Sequence, residues 1–244
     1  MVKAARCGIV RRMERDPLLF CHIPKTAGTS VRRTLRQVFP DMVTVYGGEL
    51  RLGGPDVGFV ADLRARTPPP ALLYGHFSFG VHELLDVPPR YATFLRHPVD
   101  RVVSLYRHHA ADPEATFHRR IREGMTLAEF VTCSDTEENN NHICRVVAGI
   151  VPQPGGRLED PAVVKTAIDN LREHFLFVGF VEDFAPSMDR LAGVVGTPLA
   201  RDIRLNVATH AAPAIEPSDV RAIERENALD LQLFARARRL AGVG

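Results

Sequence analysis

Short apolar runs alternate with longer amphipathic stretches along most of this chain. Leu18-Leu19-Phe20-Cys21-His22 reads as a buried strand, and the run ends before Pro24. From Val31 to Phe39 the apolar positions recur at helical spacing, which predicts a helix over 28–39. Residues 42–46 alternate as a second strand, and 47–55 form a glycine-rich loop. Asp56 is placed to cap a helix over 57–66, which Thr67-Pro68-Pro69-Pro70 stops. Residues 71–77 and 91–96 read as the third and fourth strands. Pro98 suits the first turn of a helix running to Ala110. Residues 113–150 read as short helices, with Thr126 as an N-cap, and 152–156 as a loop. A helix over 161–173, a strand over 175–180 and a helix over 183–195 follow. Residues 197–213 read as irregular, and 217–240 as one closing, arginine-rich helix.

Strands alternating with helices predict an α/β fold of three layers, a central and mostly parallel sheet flanked by helices. Residues 1–16 read as a flexible arm and 17–244 as a single domain. In such sheets ligands bind beyond the carboxyl ends of the strands. The loops after Ile23, Phe77 and Arg96 are therefore expected to face one another.

Composition narrows the partners. A net charge of +2 over 244 residues gives no argument for nucleic acid. No stretch approaches the ~20 apolar residues of a membrane span. Cys7, Cys21, Cys133 and Cys144 form neither a C-x-x-C pair nor a dense framework, which points to reduced thiols and a cytoplasmic protein. The 10 histidines show no metal-ligand spacing; His108 and His109 are adjacent and expected to point apart. No metal is expected.

The chemistry concentrates in His22-Ile23-Pro24-Lys25-Thr26-Ala27-Gly28-Thr29-Ser30. A strand, a tight loop and a helix N-terminus make a cradle for phosphate, because the first helical N–H groups lack intrahelical partners and the dipole favours an anion. The nucleotide triphosphatase pattern G-x-x-x-x-G-K-[ST] does not fit: Lys25 stands at the front of the loop, ahead of Thr29. Only Lys3, Lys25 and Lys165 are lysine among 31 Lys and Arg, so an ammonium at this point contrasts with an arginine-rich background.

This loop closely resembles the 5′-phosphosulfate loop of sulfotransferases that use 3′-phosphoadenosine 5′-phosphosulfate (PAPS). It is most similar to the branch of the heparan sulfate 2-O-sulfotransferases and their small bacterial relatives, a P-loop-like fold. Phe94-Leu95-Arg96-His97-Pro98 through Ser104 resembles the family's 3′-phosphate motif, and Tyr74-Gly75-His76-Phe77-Ser78-Phe79-Gly80 resembles the segment holding its catalytic histidine. The resemblance implies cofactor contacts at Lys25, Thr26, Ala27, Gly28, Thr29, Ser30, Arg96 and Ser104, with catalysis by His76 and Lys25. It implies PAPS as donor, 3′-phosphoadenosine 5′-phosphate (PAP) as product, and a carbohydrate or small-molecule hydroxyl as acceptor. A neutral imidazole as base would give a rate rising through ~6.5.

Other positions stay open. His82 is the alternative base, His22 is expected beneath the loop, and His97 to shape a turn. Arg101 reads either as a cofactor contact or as a surface residue paired with Asp100 or Glu129. Asn141 and Arg145 share one helical face, to contact a ligand or to brace the helix. Leu205-Asn206-Val207 also resembles the family, and the loop that follows it is expected to close over the cofactor. A kinase with a degenerate loop, or a nucleotide-binding protein without turnover, are the alternatives.

Overall fold

The structure is a computed structural model that describes residues 16–153, 155–201 and 215–243. The expected arm before Asp16, Cys7, and Leu205–Val207 lie outside those residues. The strands are β1 (Leu18–Cys21), β2 (Val43–Val45), β3 (Leu72–Gly75), β4 (Tyr91–Leu95) and β5 (Phe175–Phe180). The first helices are α1 (Gly28–Val38), α2 (Val57–Ala65), α3 (Val81–Leu85), α4 (Pro98–Ala111), α5 (His118–Arg122) and α6 (Leu127–Thr132). They are followed by α7 (His142–Ala148), α8 (Ala162–Glu173), α9 (Phe184–Val195), α10 (Pro217–Glu226) and α11 (Ala228–Leu240). All five strands are parallel, in the order β2-β3-β1-β4-β5, so the α/β layered fold is as expected.

The central strands are mostly apolar because both faces are covered, and the hydroxyl of the buried Thr93 donates to Cys21 O at 2.8 Å. Leu18, Phe20, Leu72, Tyr74 and Phe94 point into one layer with Val31 and Leu35 of α1 and Met188 and Leu191 of α9. Their neighbours Leu19, Cys21, Leu73, Tyr91 and Leu95 point the other way, onto α7, α8 and α11. Side chains alternate across a strand, so one short run feeds two cores. A third cluster, with Val102 and Leu105 of α4, Phe130 of α6 and Ile223 of α10, stands beside the sheet. Thr126 and Glu129 cap α6 reciprocally, so Glu129 is committed there.

Two elements differ from the sequence reading. The turn after Phe79 contains a short helix, α3, entered through Gly80 at φ +106° and left through Asp86 in the left-handed region. The closing helix is two helices broken at Asn227. Local pattern does not break it; a buried partner does. Asn227 Oδ1 accepts from Asn141 N at 3.0 Å, and its Nδ2 donates to Asn139 O at 2.9 Å.

That junction carries a reciprocal cap. Asn141 Oδ1 accepts from Leu229 N (3.0 Å) and Asp230 N (3.1 Å), the first-turn amides of α11. Asp230 in return accepts from Ile143 N (3.0 Å) and Cys144 N (2.8 Å) at the start of α7. Asn141 Nδ2 also donates to Leu158 O at 2.8 Å. Replacing Asn141 with Ala strands these buried groups and puts Ala at φ +47°, where Asn is better tolerated. Asn141→Ala is expected to cost roughly 2–4 kcal/mol. A urea unfolding series would measure it, and a midpoint equal to that of the unsubstituted protein would contradict the cap.

Candidate functional site

The loop after β1 is wound tightly. Lys25 and Ala27 both take left-handed backbone, at φ +72° and +62°, although both carry side chains. Such residues cost of order 1–3 kcal/mol each and persist where surroundings hold them. Thr26 is buried, and its Oγ1 donates to Ile23 O at 2.8 Å, pinning the loop onto itself. Ala27 O accepts from Ser30 N (3.1 Å) and Val31 N (3.2 Å), starting α1. Among the described residues the amides of Ala27, Gly28 and Thr29 have no backbone acceptor. These N–H groups can hold an anion at the positive end of α1.

Gly28 is required from below rather than from the ligand side. A Cβ there would lie 2.0 Å from His22 Nε2, so the imidazole fills the space beneath the loop. His22 in turn stacks on Tyr74 with ring centroids 5.5 Å apart. The Tyr74 hydroxyl donates to Gly28 O at 3.0 Å, tying β3 to the loop. His22 is thus beneath the loop, as expected.

Lys25, Ala27, Gly28, Thr29 and Ser30 line a cleft of about 680 Å³ together with Arg96, Ser104 and His76. The ends of β1, β3 and β4 therefore converge as the topology requires. Thr26 does not line the cleft, because its hydroxyl is spent on Ile23. Arg96 Nη1 donates to Lys25 O at 3.3 Å, so one side chain bridges the two motifs. Burial lowers the Lys25 pKa, and Arg96 adds to the effect, while Glu138 and Asp112 oppose it. His108 and His109 both line the cleft, with ring centroids 5.8 Å apart, contrary to the expectation that they point apart.

His76 follows β3 directly, and its amide donates to Val45 O at 2.8 Å. Gly75 is needed here, since a Cβ would meet Val45 O at 1.9 Å. The His76 ring sits between His22, at 5.2 Å, and Tyr46, at 4.7 Å and perpendicular. A second cleft of about 730 Å³ adjoins the first, and His22, Pro24, Tyr46, His76 and Glu138 line both. His76 is accessible along these clefts, yet its desolvating walls lower its pKa to about 4. His22 is lowered to about 3, first by burial, then by His76, Lys25 and Arg32. The simple expectation of a titration near 6.5 for His76 is thus corrected downwards.

His82 lines neither cleft; its Nδ1 lies 2.8 Å from the Tyr91 hydroxyl. His97 is the N-cap of α4 and packs against Phe234, with its amide donating to Glu182 at 2.7 Å. Arg101 is 0% exposed, which rules out the surface pairing with Asp100 or Glu129. It donates to Glu138 O at 2.8 Å, and its Nε and Nη1 have no partner. Its spacing of three from Ser104 puts the two on one side of α4. Arg145 donates to Asn140 and Gly156, and neither it nor Asn141 lines either cleft. Glu138 is the residue sequence reasoning missed: it lies in an irregular turn, and only tertiary folding brings it to the junction of the clefts. Burial raises its pKa, against the nearby charges of Arg101 and Lys25.

Among the described residues no group of three or more His, Cys, Asp or Glu is arranged to hold a metal ion, and no helix is long and apolar enough to cross a membrane. No protein-family model and no curated protein matches the chain. Among solved structures, the chain is similar to mouse sulfotransferase SULT7A1 complexed with PAP, at 11% identity and a TM-score of 0.42, over 93% of this chain and 69% of that one. A likeness of that size assigns no residue role here.

Proposed function

We propose that this protein is a sulfotransferase that moves a sulfuryl group from PAPS to a hydroxyl of a carbohydrate or small-molecule acceptor. One observation carries the reading. The two motifs and His76, far apart in sequence, line one cleft at the carboxyl ends of three parallel strands. PAPS, when bound, supplies the sulfuryl group. The amides of Ala27, Gly28 and Thr29, with the hydroxyls of Thr29 and Ser30, hold its 5′-phosphate. Arg96 and Ser104 hold the 3′-phosphate through charge-assisted and hydroxyl hydrogen bonds. Thr26 acts by keeping the loop wound.

His76 accepts the acceptor's hydroxyl proton as the new O–S bond forms. Lys25 neutralises the charge left on the 5′-phosphate oxygen as the old S–O bond breaks. Positioning and electrostatics then supply most of the rate.

PAP is expected to bind roughly ten- to a hundredfold more tightly than adenosine 5′-phosphate, the worth of a charge-assisted contact. Arg96→Ala should erase most of that preference. Calorimetry reads both, and equal affinities for the two nucleotides in the unsubstituted protein would overturn the assignment.

A further inference from the structure

The cleft beside the loop amides continues past Ser104 along α4. Ser104, Leu105, His108, His109 and Asp112 line it at i, i+1, i+4, i+5 and i+8, a single stripe that runs about 12 Å along the helix. The nucleotide contacts proposed above use only Ser104 of this stripe.

The two histidines differ. The His109 ring packs against Phe117, at 5.3 Å, and Phe130, at 5.6 Å. His108 is half-exposed in the cleft, and its Nε2 lies 3.9 Å from Asp112 Oδ2. Asp112 is fixed in place: its N donates to His108 O at 2.9 Å, and its Oδ1 accepts from Glu114 N at 3.1 Å. That leaves Oδ2 for the imidazole.

The surrounding charges keep His108 neutral while the cleft is empty of anions. Burial lowers its pKa, and Lys25 from the loop after β1 adds to the effect, while Asp112 opposes them. Arg32 of α1 and Arg96 after β4 bring further positive charge to the lining, and Glu114 and Glu138 bring negative charge. His22, His76 and His109, lowered to about 3, 4 and 4, are neutral near pH 7. An anion seated on Lys25, Arg96 and Ser104 offsets the field of the cations and favours imidazolium.

We propose that His108 is a further phosphate contact of the nucleotide site, provided the sulfotransferase reading holds, and that it gains a proton from solvent as the nucleotide binds, with Asp112 as the partner of its charge. One ring nitrogen then donates to Asp112 and the other to a phosphate oxygen. Neutral imidazole has a single N–H and cannot make both bonds. A histidine in the last turn of a helix also interacts with the helix dipole, but that contribution is the same with and without nucleotide.

Histidine side-chain NMR and calorimetry, with PAP and adenosine 5′-phosphate as probes, test this near pH ~6.5 without turnover. The His108 ring signal, assigned by its loss in His108→Gln, is expected to move to the imidazolium form when PAP is added. Binding heats in buffers of different ionisation enthalpy should show that PAP takes up more protons with the unsubstituted protein than with His108→Gln. Titration of the phosphates themselves is common to both and cancels. His108→Gln should weaken PAP roughly three- to tenfold, less than for an enclosed charge-assisted bond because His108 is open to solvent. Asp112→Asn should reduce the proton uptake, with thermal midpoints verifying that both variants are folded. A change with PAP alone places the contact at the 3′-phosphate, beside Ser104, and an equal change with adenosine 5′-phosphate places it at the 5′-phosphate, beside Lys25. A ring signal unmoved by either nucleotide, or equal proton uptake by the unsubstituted protein and His108→Gln, would overturn the inference. Failure of the sulfotransferase reading shows separately, as equal affinities of the unsubstituted protein for PAP and adenosine 5′-phosphate.

Discussion

His76→Ala is expected to lower kcat by ~10²–10⁴, the usual contribution of a positioned general base, while PAP affinity stays within about twofold. The asymmetry follows from placement. His76 stands where the two clefts meet, past the end of β3, and its amide hydrogen bond to Val45 does not depend on the imidazole. The pH profile makes the test specific. Burial lowers the His76 pKa to about 4, so the neutral, proton-accepting form is present above that value and lost as pH falls through it. The acid limb of kcat/KM is therefore expected near 4, well below the ordinary histidine value of ~6.5. An anionic donor in the adjoining cleft favours imidazolium, so the limb of kcat should lie higher than that of kcat/KM. A low pKa weakens the base intrinsically, and this partial recovery on donor binding offsets the loss. A folded His76→Ala protein with near-normal turnover would remove the base assignment. His82 would not inherit it, since its ring is engaged with Tyr91 and lies outside both clefts.

The same depressed values set the acid stability. His22 and His76 bind protons near 6.5 when unfolded but only near 3 and 4 when folded. The unfolded state therefore binds more protons below ~6.5, and the thermal midpoint should fall as pH drops from there towards 4.

Much of this architecture was legible because it is local. A strand buried on both faces is nearly continuous in apolar residues, and Leu18–Cys21 and, apart from Thr93, Tyr91–Leu95 read that way directly. The loop before α1 and the Pro98 helix start are set by short-range chemistry, so the convergence of Lys25, Arg96 and Ser104 on one cleft could be expected from sequence. What failed is non-local. Asn227 interrupts an otherwise continuous helical pattern because Asn139 and Asn141 compete for its side chain. Arg101 reads either as a cofactor contact or as a surface residue until α4 is packed against the turn that carries Glu138. Gly28 lines the cleft, but its need for glycine comes from the His22 ring beneath it, which no local pattern shows. Thr26 looks like one more hydroxyl donor in the loop, but the tight winding turns it onto Ile23. Of the second cleft only the segment of His76 and Ser78 drew a sequence signal, since Arg51, Glu137 and His142 come from separate segments that folding brings to it.

Lys25→Ala is expected to lower kcat by ~10²–10³, the typical cost of removing one group that stabilises developing charge. Acceptor affinity should survive, because Lys25 lines the cleft beside the loop amides and not the second one. PAP affinity should fall as well, since the ammonium stands beside the loop amides that would hold the phosphate. The backbone gives an independent check on why a lysine is here. Lys25 sits at φ +72°, a conformation in which any side chain beyond hydrogen is strained. A sequence selected only for a stable turn would place glycine there. Lys25→Gly removes the ammonium and the strain together, so it should lose turnover as Lys25→Ala does while its thermal midpoint holds or rises. Alanine keeps the strain and should not gain stability. If the lysine were only a capped-turn residue on the surface, both variants would retain activity, and that outcome would sink its proposed role at the leaving group. If Lys25→Gly lost activity and unfolded at a lower temperature, the lysine would be part of the loop's support, through Arg96 and Glu138, rather than a group kept for catalysis at the expense of stability.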